Sequence, residues 1–201
     1  MKVTLIDYGA GNVTSVARAV LQLGAQVTCS HDPVEIARAD RLVLPGVGHC
    51  AALITAIDSY ALRQPLKEAI SSGVPFLGIC LGLQALYESS TEAPGSAGLG
   101  LLNGHVTRLP DGVKLPHMGW NQVHTTRASR LLEGISPESY YYFAHSYAAP
   151  ATGAESVAAC TYGTEFVAVL EQKNIFGVQF HPEKSGAPGR LLLENFLRCA
   201  A

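Results

Sequence analysis

Two periodicities divide the chain. In the first half, short β-rich apolar runs alternate with stretches of helical spacing. Lys2–Asp7 reads as a strand. Asn12–Leu23 carries Val13, Val16, Ala17, Val20 and Leu21 at the period of an amphipathic helix, and Gly24 stops it. Ala25–Cys29 predicts a second strand, Pro33–Arg38 a short helix, and Arg41–Leu44 a third strand closed by "PGVG". Helices follow near Cys50–Asp58 and Tyr60–Ser72, ended by Gly73. Pro75–Ile79 is apolar without alternation, as in a strand buried on both faces. This β-α order predicts an α/β fold of three layers, a mostly parallel central sheet flanked by helices. Functional loops in such sheets lie beyond the carboxyl ends of the strands. "DYGAGN", "PGVG" and "GICLG" all fall there.

The second half changes period. Glu88–Gly100 is polar and Gly-rich, a surface loop. Short β-like runs then follow one another: His105–Leu109, Asn121–Thr125, Tyr140–Phe143, Ser156–Thr161, Glu165–Leu170 and Ile175–Phe180. Strand after strand predicts antiparallel additions to the same sheet, within one domain spanning residues 1–201. A helix near Pro188–Arg198 ends the chain.

Composition narrows the function classes. Net charge is −2 and no Lys/Arg cluster is visible, so nucleic-acid binding has little support. No run approaches the ~18 apolar residues of a membrane span, and the N-terminus lacks the apolar core of a signal peptide. Charged residues are only 15% of the chain, which fits a surface partly covered by a partner. The five cysteines are widely spaced with no C-x-x-C, so neither a disulfide framework nor a zinc site is expected, and a reduced, cytoplasmic protein is.

The chemistry centres on "GICLG". Gly78-x-Cys80-x-Gly82 has the form of a nucleophile elbow, with sulfur in place of a serine oxygen. On a tight strand-to-helix turn, side chains two positions before and after the nucleophile would collide, so glycine is required there. The turn also sets the sulfur at a helix N-terminus, which favours a thiolate. A small buried hydrophobe is the alternative for Cys80. A thiol nucleophile needs a base and a group that orients the base. Of seven histidines, His181 has a fitting context, in "FHPEKS" just past an apolar strand. Pro182 disfavours helix at His181, so His181–Pro182–Glu183 is expected to be extended, with His181 and Glu183 facing the same way. The other six histidines show no consistent context. For a tetrahedral oxyanion, one donor is expected to be the Leu81 N–H and the second the Val47 N–H of "PGVG", a segment that alone reads equally as a plain tight turn.

With these residues in hand, the chain resembles the class I (triad-type) glutamine amidotransferases. The likeness runs through "DYGAGN" (7–12), "LPGVG" (44–48), "GICLGLQAL" (78–86), "ESSTE" (88–92), "PHMGWN" (116–121), "YFAHSY" (142–147) and "FGVQFHPEKS" (176–185). "DYGAGN", "PGVG" and "HMGWN" narrow it to the glutaminase branch serving histidine biosynthesis. The resemblance implies Cys80, His181 and Glu183 as the triad, Gln84 and Glu92 as glutamine-binding side chains, and backbone groups of Ser146 and Tyr147 as carboxylate holders. It implies no metal or cofactor. It implies a heterodimer with a separate (β/α)₈-barrel cyclase subunit, HisF, which uses the ammonia. Asn12, Met118, Trp120, Tyr142 and Lys184 are then candidate partner contacts. Read without the family, Gln84 is equally a helix surface residue, Glu92 a loop charge and Trp120 a packed core residue. Cys50 departs from the pattern, standing where a larger apolar or aromatic residue is expected. Three other readings stay open: a glutaminase of a purine or pyridoxal phosphate pathway, a peptidase-like or γ-glutamyl hydrolase, and a silent subunit that kept the fold.

Overall fold

A computed structural model describes residues 1–9, 12–153 and 155–199. Ala10 and Gly11 of "DYGAGN" lie outside the described residues. The first half runs β1 (Lys2–Ile6), α1 (Val13–Leu21), β2 (Gln26–Ser30), α2 (Pro33–Ala37), β3 (Leu42–Gly46), α3 (Cys50–Ser59), α4 (Arg63–Ser71), β4 (Phe76–Cys80) and α5 (Leu81–Gln84). The second half runs β5 (Ser89–Ser90), β6 (His105–Arg108), β7 (His117–Gln122), β8 (His124–Thr125), β9 (Tyr140–His145), β10 (Tyr147–Ala148), β11 (Ser156–Tyr162), β12 (Thr164–Gln172), β13 (Ile175–Val178), a 3₁₀ turn (Pro182–Lys184) and α6 (Gly186–Arg198).

The main sheet has eight strands in the order β2-β1-β3-β4-β13-β12-β11-β8. Pairing is parallel from β2 through β13 and antiparallel from β13 to β8. The α/β architecture with antiparallel additions is therefore the one observed. Successive residues of the central strands face opposite sides. In β3, Leu42 and Leu44 join the core that α3, α4 and α5 cover, while Val43 joins the one that α1 and α6 cover. Both faces are buried, which is why these strands read as unbroken apolar runs.

Not every later strand extends this sheet. β10, β6 and β5 form a small separate sheet, and β7 pairs only with β9 as a two-stranded ribbon. The expected strand Asn121–Thr125 is divided: residues up to Gln122 belong to the ribbon, and His124–Thr125 to the edge of the main sheet. The ribbon's alternation places Met118, Trp120 and Gln122 on its outer face, opposite Ala144, Tyr142 and Tyr140. His117 and Tyr141 point inward and are buried.

Candidate active site

Cys80 is the last residue of β4, with φ +54° and ψ −107°, a conformation that L side chains rarely adopt and that carries strain of ~1–3 kcal/mol. The neighbouring glycines make the turn possible. A Cβ on Gly82 would lie 1.9 Å from the Leu44 carbonyl oxygen, and one on Gly78 would lie 2.6 Å from the Gly82 carbonyl oxygen. α5 is a single turn, so the charge it offers the sulfur is that of its first free N–H groups rather than of a long helix.

β13 lies beside β4 in the sheet, and the chain leaving it carries His181 to the sulfur's side. The expected extended segment is not what forms. His181 itself is extended, but Pro182 opens a 3₁₀ turn through Lys184. Proline suits the first position of such a turn, since its missing N–H is not needed there. The turn brings the Glu183 carboxylate back onto the ring, with Oε1 2.9 Å from Nδ1. The His181 backbone is tied at both ends: its N–H donates to the Tyr142 carbonyl (2.8 Å), and its carbonyl accepts from the Ser185 hydroxyl (2.6 Å). Burial alone would lower the His181 pKa. The Cys80 and Glu183 side chains outweigh it and push the ring up to about 10, so it holds its proton at neutral pH. Burial likewise works to raise Glu183, but His181 and Asn12 hold it below the ordinary carboxylate range.

Asn12, a candidate partner contact by resemblance, turns inward instead. Its Nδ2 donates to Glu183 Oε1 at 2.8 Å. The other residues suggested for glutamine chemistry gather around one pocket. Cys80, His181, Val47, Leu81, Gln84, Glu92, Ser146 and Tyr147 all line it, with Lys184 at its edge. Glu183 stands behind His181. Gln84 is buried and not a helix surface residue: its Nε2 donates to the Tyr147 carbonyl (2.7 Å) and to Gln179 Oε1 (3.0 Å). Glu92 is tied to the start of α3, accepting the Cys50 N–H at 2.8 Å. Because that bond uses the backbone, Cys50 needs no particular side chain for it. The thiol is buried, and burial with the nearby Glu92 pushes its pKa up.

The Val47 N–H is spent elsewhere in this structure. It donates to the Tyr8 hydroxyl at 3.2 Å, so of the two expected oxyanion donors Leu81 alone stands at a helix start without an intrahelical acceptor. Two of the histidines without apparent context also belong here. His145 lines the pocket, and its Nδ1 donates to the Tyr147 carbonyl at 2.9 Å. Its Nε2 meets His117 Nδ1 at 3.2 Å, and the His117 ring stacks on Phe143 and Tyr162. Burial lowers His117 to about 4 and, more strongly, His145 to about 3, so both are neutral at pH 7. Their motifs, "PHMGWN" and "YFAHSY", were the available signal. The ribbon that supplies Ala144 and His145 to the pocket wall exposes Met118 (64%), Trp120 (56%) and Tyr140 (53%). Trp120 is thus not a core residue. It packs edge-on against Tyr142, whose ring lies beneath the Lys184 ammonium.

This arrangement, a strained thiol with an imidazole and carboxylate on adjacent strand ends, suits acyl transfer from an amide. The class-I glutamine amidotransferase family matches residues 4–199. The chain belongs to that family. Imidazole glycerol phosphate synthase subunit HisH of Salinibacter ruber is 47% identical over 201 residues, covering 96% of this amidotransferase and 92% of the relative. HisH of Methanothermobacter thermautotrophicus is 47% identical over 195 residues, covering 97% of each. Among solved structures, a glutamine amidotransferase aligns with TM-score 0.76 at 18% identity, covering 96% of this chain and 98% of that one. PurLQS of Thermotoga maritima aligns with TM-score 0.75 at 18% identity, covering 98% and 97%. These two share the amidotransferase's fold. Among the described residues no His/Cys/Asp/Glu group could hold a metal ion, and no helix is long and apolar enough to cross a membrane.

Proposed function

We propose that the chain hydrolyses glutamine at Cys80 and passes the ammonia to a cyclase subunit that builds imidazole glycerol phosphate. The observation that carries the catalytic assignment is the Cys80–His181–Glu183 arrangement at the floor of the pocket. The enzyme is the glutaminase subunit of imidazole glycerol phosphate synthase, acting in histidine biosynthesis. The full-length likeness to HisH proteins supports this branch over a purine or pyridoxal phosphate one.

The Cys80 sulfur attacks the side-chain amide carbon of glutamine, and the C=O electrons move to oxygen. Leu81 N–H donates to that oxyanion. When the C–N bond breaks, the His181 imidazolium gives its proton to the departing nitrogen, and ammonia leaves. A glutamyl thioester remains. The now neutral ring removes a proton from water, hydroxide adds to the thioester carbon, and the C–S bond breaks to release glutamate. Glu183 holds the ring in the tautomer that keeps Nε2 for this traffic and stabilises its charged form. Gln84, Glu92 and the Ser146–Tyr147 backbone hold the amino-acid end of the substrate.

Ammonia released to water would be protonated and lost as a nucleophile. A partner seated over the pocket mouth prevents that. The exposed Met118, Trp120 and Tyr140 lie on the ribbon whose Ala144 and His145 line this pocket, and a (β/α)₈-barrel cyclase, HisF, bound there as a heterodimer receives ammonia directly. Residues 1–201 act as one amidotransferase domain, in the reducing cytoplasm to which five free thiols are suited.

The test is glutamate release from glutamine by the chain alone, with the cyclase, and with the cyclase plus its nucleotide substrate. Turnover that rises sharply with cyclase and ligand, and is lost in Cys80→Ala, is the expected result. Turnover indifferent to the cyclase would move the chain to another glutaminase branch, and turnover retained in Cys80→Ala would overturn the nucleophile.

A further inference from the structure

Gln179 has no place in the mechanism above, yet it is fully buried, 0% exposed, one residue beyond β13. A primary amide offers two N–H donors and a carbonyl acceptor, and burying it without partners costs several kcal/mol. Its partners lie in the active site. Oε1 accepts from Gln84 Nε2 at 3.0 Å, and Nε2 donates to the Cys80 sulfur at 3.6 Å, a normal length for a bond to sulfur.

The direction of this chain is dictated by its far end. The Tyr147 carbonyl can only accept. It receives the Gln84 Nε2 at 2.7 Å and the His145 Nδ1 at 2.9 Å. Gln84 must therefore present its NH₂ group to Tyr147, and the same NH₂ group faces Gln179. The atom of Gln179 that meets it must be the oxygen. That leaves the Gln179 nitrogen turned to Cys80. No flip of either amide satisfies all these contacts. His145 is in turn braced by His117, so the carbonyl that sets the direction is itself held from two sides.

We infer that Gln179 is a further catalytic residue, whose side-chain N–H holds the Cys80 sulfur for attack, in an orientation enforced by Gln84 and the Tyr147 carbonyl. The inference rests on Cys80 being the nucleophile. A hydrogen bond to a charged acceptor is about twice as strong as one to a neutral group. The Gln179 N–H therefore favours the sulfur before attack, when it carries charge, and contributes little once the thioester has formed. His181 manages the proton; Gln179 fixes the acceptor that the proton has left. Gln84 touches both the substrate pocket and Gln179, so a glutamine that shifts Gln84 also reaches the nucleophile.

The experiment compares Gln179→Glu, Gln179→Met and the parent chain, each in complex with the cyclase. Gln179→Glu keeps the size and the oxygen that Gln84 donates to, but removes the donor to sulfur. Gln179→Met removes both and introduces no charge, and so covers the case in which the carboxyl variant fails to fold. The first readout is the rate of iodoacetamide alkylation at Cys80 at fixed pH, located by peptide mass spectrometry, with the exposed Cys29 as internal reference. Alkylation of Cys80 is expected to fall about fivefold in both variants while Cys29 is unchanged. The kcat for glutamine should fall by at least as much, with KM close to the parent in Gln179→Glu and raised in Gln179→Met. Parent-like alkylation with only a raised KM would overturn the inference, leaving Gln179 as a brace for Gln84. Retained glutaminase activity in Cys80→Ala would instead overturn the nucleophile, a separate failure.

Discussion

Asn12 and His181 share one oxygen of Glu183: the asparagine Nδ2 lies 2.8 Å from Oε1 and the imidazole Nδ1 2.9 Å from the same atom. The residue that opens α1 thus braces a carboxylate near the other end of the chain. Losing one hydrogen bond to a buried charge is worth ~1.5–3 kcal/mol. Asn12→Ala is expected to lower kcat about tenfold with KM little changed, and steady-state kinetics of the complex checks it. An effect on cyclase affinity alone would return Asn12 to the interface.

The Val47 N–H has its acceptor in the Tyr8 hydroxyl. Tyr8→Phe removes that acceptor and leaves the N–H free for an oxyanion. One such donor is worth up to ~10²-fold, and part of that is available without a partner. Glutaminase activity of the isolated chain should rise about three- to tenfold. A fall would mean that Tyr8 serves only to hold the loop.

The buried imidazoles make opposite contributions to stability as pH changes. An unfolded histidine titrates near ~6.5. His181 is raised to about 10, so its contribution is full below ~6.5 and is lost as pH rises through about 10. His145 and His117 are lowered to about 3 and about 4, so theirs is present above ~6.5 and lost as pH falls through those values. Melting temperature should therefore decline on both sides of neutrality. Glu183→Gln is expected to flatten the alkaline limb. His145→Asn, which keeps a donor near the Nδ1 position, should shallow the acid limb.

Gly82→Ala sets a methyl carbon against the backbone oxygen of Leu44, which cannot swing away as a side chain can. Overpacking of this kind costs about 3 kcal/mol, roughly 10 °C in a chain of this size. Differential scanning calorimetry of Gly82→Ala is expected to show at least this loss, together with collapse of glutaminase activity. A thermally unchanged variant would mean that the elbow relaxes more readily than its contacts imply.

Trp120 is largely exposed on the ribbon, so its removal should spare the fold. Truncating an aromatic anchor at an interface costs ~2 kcal/mol or more. Trp120→Ala should weaken cyclase binding about 30-fold by calorimetric titration, with the melting temperature of the isolated chain unchanged.

The parallel half of the fold is legible because burial on both faces leaves its strands apolar and its helices periodic. β7 is not, for a physical reason. Its outward residues, Met118 and Trp120, are more apolar than the inward His117 and Asn121, so the two-residue alternation of "HMGWNQ" runs opposite to burial and points the wrong face at the core. The His181–Glu183 pairing follows from their proximity in sequence, although a 3₁₀ turn rather than the expected extended chain makes it. Gln179 stands within "FGVQFHPEKS", but its contact with the sulfur leaves no local trace. Its partner Cys80 is 99 residues away, and a buried amide looks like any other glutamine until the opposing atom is placed. The pairing of Asn12 is hidden in the same way, its partner Glu183 being 171 residues away.

The backward twist at Cys80 lies in the main chain and is held there by Gly78, Gly82 and Leu44 before any substrate arrives. The energy of that twist is therefore spent at folding, once in the life of each molecule, and not at each turnover. Aiming the sulfur adds nothing to the activation barrier, and the enzyme carries the strain as lowered thermodynamic stability instead. Serine or alanine would sit at the same unfavourable φ, and glycine alone would be free of the strain. An inactive serine or alanine variant at residue 80 should consequently be no more robust to heat than the working enzyme on account of its backbone.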